Sequence, residues 1–121
     1  MYAELHCLSH FSFLRGASAP AELVSRAAEC RYHALAVTDE CSLAGVVKAH
    51  VAAKEHQLKL IIGSEFTLTE GIRLVALVPN REAYGELSGL ISRARRRCHK
   101  GEYTVHLRDI IFHLKRCFLI L

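Results

Sequence analysis

Imidazole and carboxylate side chains recur in this chain where short apolar runs stop. Glu4-Leu5-His6-Cys7 lies near the start, Thr38-Asp39-Glu40 follows Ala34-Leu35-Ala36-Val37, and Gly63-Ser64-Glu65 follows Leu58-Lys59-Leu60-Ile61-Ile62. His, Asp and Glu are the groups that ligate divalent metals and exchange protons in acid–base chemistry. If each run is a strand and helices join them, right-handed crossovers bring the three blocks to one rim of a parallel sheet, where α/β proteins carry their chemistry. Taken singly, each block has a plainer role. A strand-end His is commonly a satisfied polar group, and Thr-Asp after a strand commonly caps the next helix.

The elements that must position these blocks can be read along the chain. Residues 2 to 8 form a first strand, followed by a Ser/Phe/Gly loop from Ser9 to Ser18 that contains Arg15-Gly16. Ser18 is the expected N-cap of a helix with Pro20 in its first turn and Leu23, Val24, Ala27 and Ala28 at helical spacing. Ala34 to Val37 shows no polar alternation, as expected of a strand covered on both faces. Ser42 is the expected cap of a second helix, with Val46, Val47, His50, Val51 and Lys54 on the 3.6 period, leading to a strand from Leu58 to Ile62. A turn at Glu70-Gly71 precedes a strand from Ile72 to Val78, and Pro79-Asn80 precedes a long helix from 81 to 97 with Tyr84 and Leu87 facing the core. A short helix over 107–115 and a buried strand from Cys117 to Leu121 complete the order.

That order predicts a single α/β domain over 1–121 with no second domain. Ending inside Phe118-Leu119-Ile120-Leu121, the chain reads as a truncated protein with an uncovered sheet edge and low solubility in isolation.

Composition narrows the class. With 51% hydrophobic residues, 121 residues suffice for a real core. The longest apolar stretches fall far short of the roughly 20 residues that span a bilayer, and Glu4 and His6 interrupt any export signal, so no membrane association and a cytoplasmic location are expected. Cys7, Cys30, Cys41, Cys98 and Cys117 include no Cys-x-x-Cys pair and read as reduced thiols. Residues 1 to 92 hold eight Lys/Arg against ten Asp/Glu, whereas 93 to 116 hold eight against two. Within that excess, Arg93, Arg95, Arg96, Arg97 and Lys100 are candidates for phosphate, DNA or partner contact. A solvated helix end stabilised by the macrodipole is the simpler explanation, since no aromatic residue is interleaved for base stacking. His33, His50, His56, His99, His106 and His113 lack ligand-like spacing and read as surface histidines.

In this order, the polar blocks resemble the PHP (polymerase and histidinol phosphatase) domain, and the resemblance covers essentially the whole chain. It implies an incomplete β/α (PHP-type) barrel with mostly parallel strands, whose strand ends in active relatives hold up to three metal ions for phosphoester hydrolysis. Glu4 to Ser9, Phe11 to Ser18, Thr38 to Gly45, Lys59 to Phe66 and Lys100-Gly101-Glu102-Tyr103 are similar to the amino-terminal region of the error-prone class of bacterial C-family polymerases. Partners implied by the resemblance are the other domains of such a polymerase.

Departures from the hydrolase pattern bear on the site. The family's first block is His-x-His; His6 matches the first His and Leu8 stands at the second. The family's Thr-Asp-His becomes Thr38-Asp39-Glu40, and Arg15 stands where active relatives carry a His or Asp ligand. Glu65 matches its position unchanged.

The resemblance therefore implies a degenerate metal set of His6, Glu40 and Glu65, with Asp39 as a further strand-end polar group and no catalytic residue. An apolar Leu8 donates no lone pair, and an Arg15 guanidinium brings a permanent positive charge to the place of a dication. The expected state is no cofactor, with Arg15 ion-paired to Glu40 and Glu65 in place of metal. The competing state holds one zinc or manganese ion on His6, Glu40 and Glu65. Two functions follow: a structural module supporting a polymerase, or a metal-dependent phosphoesterase or 3'-5' exonuclease acting on DNA ends. A gene remnant is a third reading. Polymerisation itself needs palm-domain ligands and nucleotide-binding elements that these residues do not supply.

Overall fold

The computed structural model describes residues 2–9 and 18–121, in which nine elements follow one another in the order expected. They are β1 (Ala3–Cys7), α1 (Pro20–Glu29), β2 (Ala34–Val37), α2 (Val46–His56), β3 (Lys59–Thr67), β4 (Arg73–Val78), α3 (Arg81–Arg96), α4 (Leu107–His113) and β5 (Phe118–Ile120). One sheet takes all five strands in sequential order. β1, β2 and β3 are parallel neighbours joined by helical crossovers, as parallel pairing demands.

β3 and β4 instead form an antiparallel hairpin at Glu70-Gly71. There Gly71 takes φ 86, and its N–H donates to Leu68 O at 2.9 Å. That left-handed backbone favours the residue without a Cβ. β5 pairs antiparallel with β4 and so runs in the direction of β1 to β3. The sheet curls into a half-barrel, and residues of β1, β3, β4 and β5 line one cavity of about 400 Å³ on its concave side.

The period of two along each strand divides the core. Leu35 and Val37 pack with Val24 and Ala27 of α1 and Ala49, Ala52 and Ala53 of α2. Phe66, Leu74 and Ala76 pack with Leu87, Leu90 and Ala94 of α3 and Ile110 of α4. The alternate positions Ala36, Ile61, Val75 and Leu77 form a smaller cluster. β2 is buried along its whole length, as its unbroken apolar run predicted.

Several local expectations are corrected. α1 starts after Ala19 rather than at a Ser18 cap, with Pro20 as its first residue and the Ala19 N–H donating to Glu22 Oε1 at 3.3 Å. α2 starts after Gly45, while the Ser42 hydroxyl accepts from Ala44 N in a local turn. Its buried stripe is Ala49, Ala52 and Ala53, and Val47 and Val51 are 73% and 53% exposed. The valines and alanines both carry helical periodicity, and the close α1–α2 packing selected the small side chains. β3 runs through Thr67, so Gly63-Ser64-Glu65 lies inside the strand. β5 is exposed at every residue and is not a buried strand. Among the described residues, no helix is long and apolar enough to cross a membrane.

Gly63 is needed for close approach. A Cβ there would collide with the backbone oxygen of Ala76 on β4 and lie 2.9 Å from Leu77 Cδ2 and 3.1 Å from Thr38 Cγ2. Backbone oxygens in a paired ladder cannot step aside. Gly63→Ala is therefore expected to destabilise the domain by about 1 to 3 kcal/mol, read as a lower thermal midpoint. An unchanged midpoint would show that the hairpin yields where this packing says it cannot.

Candidate functional site at the strand rim

Parallel pairing carries the polar blocks to one rim. Thr38 N donates to Cys7 O at 2.7 Å, Glu65 N donates to Asp39 O at 3.0 Å, and Cys41 N donates to Glu65 O at 2.8 Å. The last two bonds continue the β2–β3 ladder past β2 and set Glu40 beside Glu65. β1 reaches the rim through an irregularity between Glu4 and Cys7, where its register against β2 shifts. Such bulges re-aim a side chain. Here His6 Nε2 lies 3.0 Å from Glu65 Oε1.

Burial differs sharply among these groups. The Glu65 side chain is fully buried, whereas that of His6 is 43% exposed. Arg73 Nε on β4 lies 4.0 Å from the same Glu65 oxygen. His6, Glu65 and Arg73 form the polar end of the concave cavity, whose remaining wall includes Leu5, Leu74, Val75, Ile120 and Leu121. A buried carboxylate needs such partners, since isolated burial of charge is strongly unfavourable.

Asp39 is committed elsewhere. Its Oδ1 accepts from Ser9 N at 2.6 Å and its Oδ2 accepts from Ser9 Oγ at 2.7 Å, with both residues buried. Ser64 Oγ donates to Asp39 O at 2.7 Å and accepts from Ser42 N at 3.2 Å. Asp39 thus fastens the segment after β1 to the end of β2. Beside it, Thr38 Oγ1 is buried without a hydrogen-bond partner among the described residues.

Glu40 meets residues from the far end of the chain. Tyr103 OH donates to Glu40 Oε2 at 2.6 Å and accepts from Thr67 N at 2.9 Å. Burial first, and then the hydrogen bond to Glu40, push the Tyr103 hydroxyl up to about 12, so it stays protonated and donating at neutral pH. Arg95 lies over the Tyr103 ring at 5.3 Å from its centroid. Its guanidinium donates to Cys41 O at 3.0 Å, Glu40 O at 3.4 Å and Glu102 O at 3.3 Å. Cys41 itself takes φ 45, a strained value for a residue with a Cβ, held by these bonds on either side. Its thiol is pushed up to about 11 by burial, so it is not a ready thiolate ligand.

The sequence-derived site residues therefore separate into groups. His6 and Glu65 touch; Glu40 is adjacent to Glu65 along the rim but engages Tyr103; Asp39 engages Ser9. Among the described residues, no three His, Cys, Asp or Glu side chains gather as a metal-binding group. The Arg15 pairing lies outside the described residues. Sequence reasoning gave no role to Tyr103, Arg73, Ser9 or Ser64, which come from separate segments and share no local spacing.

In the basic cluster, two arginines spend their donors on protein oxygens. Beside Arg95, Arg97 makes a two-pronged contact with Asp109 at 2.7 and 3.1 Å and donates to Thr104 O at 3.2 Å. Arg93 meets His113 Nδ1 at 3.2 Å, Arg96 bonds back to Ser92 O, and Lys100 is exposed.

Residues 4–115 match the PHP domain family. The error-prone DNA polymerase of Saccharophagus degradans is 60% identical over 119 residues, which is 98% of this chain and 12% of that protein. The error-prone DNA polymerase of Dechloromonas aromatica is 63% identical over 109 residues, covering 90% of this chain and 11% of that protein. The chain thus spans about an eighth of the length of these curated relatives. Among solved structures, a Bifidobacterium adolescentis protein provisionally named a metal-dependent phosphoesterase shares the fold at TM-score 0.65 and 24% identity. It is matched over 95% of this chain and 44% of its own length.

The Arg97–Asp109 pair gives an acid-stability prediction. Hydrogen bonds from Arg97 hold the Asp109 carboxyl down at about 2, below its ordinary 3.8. A depressed carboxyl contributes stability above its unfolded value, and that stability is lost as pH falls from about 4 to about 2. Arg97→Ala is expected to cost about 1 to 2 kcal/mol at neutral pH and to shrink the acid-induced loss over that window. Urea melts at pH 7 and pH 3 check it, and equal losses in both proteins would refute it.

Proposed function

The chain belongs to the PHP domain family, and from that premise we propose that it is a structural module of an error-prone DNA polymerase rather than a working hydrolase. The observation that carries this reading is the use of the rim carboxylates. Asp39 binds the Ser9 backbone and hydroxyl, and Glu40 accepts from Tyr103, so both spend lone pairs on cross-links between segments. A hydrolytic metal centre needs several such lone pairs directed at one point.

In the parent protein the module would sit at the amino-terminal side of the polymerase, with other polymerase domains as its partners. The parent's role is template-directed nucleotide addition during damage-tolerant and repair synthesis. The surface cations Arg93, Arg96 and Lys100 supply the contact to DNA phosphates or to a neighbouring domain. Arg95 and Arg97 act within the module.

A second reading is favoured by one contact. His6 and Glu65, 3.0 Å apart and both lining the concave cavity, are two groups able to share a zinc or manganese ion. With such an ion the module would be a metal-dependent phosphoesterase or 3'-5' exonuclease on DNA ends, and the ion would supply Lewis-acid stabilisation of the phosphoryl oxygens.

The two readings part in a single assay. The purified chain, incubated with 3'-labelled single-stranded DNA, is expected to release no nucleotide above background with manganese or zinc added. Metal-stimulated release that disappears in Glu65→Ala would establish the enzymatic reading instead.

A further inference from the structure

Glu40 occupies the position of the family's ligand histidine, yet its carboxylate oxygen lies 2.6 Å from Tyr103 OH. Tyr103 is placed for this contact by independent means. Its oxygen accepts from the backbone of Thr67 at the end of β3, and its ring stands edge-on to the buried Phe66 at 6.5 Å between centroids. Its other side carries the Arg95 guanidinium. That planar fork reaches carbonyls on both sides of a gap in sequence, Glu40 and Cys41 after β2 and Glu102 in the segment between α3 and α4. The same segment is further tied by Thr104 N to Ala94 O and by Thr69 N to Val105 O.

We propose that Glu40, Tyr103 and Arg95 form a latch that performs the cross-linking a metal performs in hydrolytic relatives, closing the 97–106 segment onto the strand rim. Resting on the structural reading above, the latch assigns residue 40 an anchoring role in place of a coordinating one. Tyr103 and Arg95 are its positioning residues. A carboxylate that accepts a hydrogen bond from a fixed phenol ties that phenol's segment to its own strand, the part a shared cation plays between its ligands. Arg95 is suited to its part because a planar guanidinium stacks on an aromatic ring while donating in its own plane, which a lysine ammonium cannot do.

A mutant cycle on the 121-residue chain, with metal analysis alongside, tests the latch. Tyr103→Phe and Glu40→Ala are each expected to lower the thermal midpoint by about 5 to 10 °C. The double variant should lose less than the sum of the two single losses, since both single variants remove the same Tyr103–Glu40 bond. Glu40→Gln, whose amide oxygen still accepts from the phenol, should melt above Glu40→Ala. Backbone amides over 98–105 should exchange faster in Tyr103→Phe, which keeps the test readable if midpoints are poorly resolved.

Additive midpoint losses, or unchanged exchange in Tyr103→Phe, would overturn the latch. So would zinc or manganese retained through dialysis by the wild type and lost in Glu40→Gln. Metal retained equally by both would support the latch and overturn the purely structural reading, so the two failures are distinguishable.

Discussion

Two buried carboxylates on adjoining segments of one strand rim impose the constraint around which the domain is built. Asp39 and Glu65 are 2% and 0% exposed, and their backbones are hydrogen-bonded to each other. Burying a carboxylate without partners is strongly unfavourable, so each must be answered locally by donors. Asp39 is answered by the N–H and hydroxyl of Ser9, Glu65 by His6 with Arg73 at its edge. These donors come from β1, the segment after it, and β4. Glu65 is thus reached from β1 at one edge of the sheet and from β4 on the far side of β3, so the rim ties together strands that are not all neighbours.

The arginines at the end of α3 illustrate how position decides the role of a charge. Arg95 and Arg97 lie two residues apart, both partly exposed, and both spend their donors on protein oxygens. Arg97 locks the start of α4 through Asp109, whose second oxygen also accepts from His106 N. Arg95 locks the segment after β2. A helix C-terminus favours cations in general, but that preference does not distinguish a surface cation from a structural clamp. The carbonyls presented by the neighbouring loops make the distinction.

Local rules carried most of the fold. The order of nine elements follows from hydrophobic period and punctuation, and the Glu70-Gly71 turn and the fully buried β2 follow from residue type alone. What escaped was set by tertiary contact. In α2, valines and alanines both satisfy a helical period, and packing against α1 and β2 puts Ala49, Ala52 and Ala53 inside. Gly63-Ser64-Glu65 looked like a strand end because polarity rises there, whereas pairing with β4 carries the strand onward to Thr67. At the site, the rim positions of His6, Asp39, Glu40 and Glu65 were legible as a convergence. Tyr103 and Ser9 were not, because a hydrogen bond between residues 63 positions apart leaves no periodic trace.

The chemistry of those unforeseen contacts bears on what the rim can do. A metal holds its ligands by charge, and its occupancy follows metal supply and the protonation of histidine. A phenol held well above neutrality donates across the whole physiological range, and its contribution to stability fades only as pH rises from about 10 toward 12. The Ser9–Asp39 contact likewise involves a hydroxyl and a peptide N–H with no titration near neutrality. Both contacts thus fasten segments to the rim through donors whose protonation does not change near neutrality.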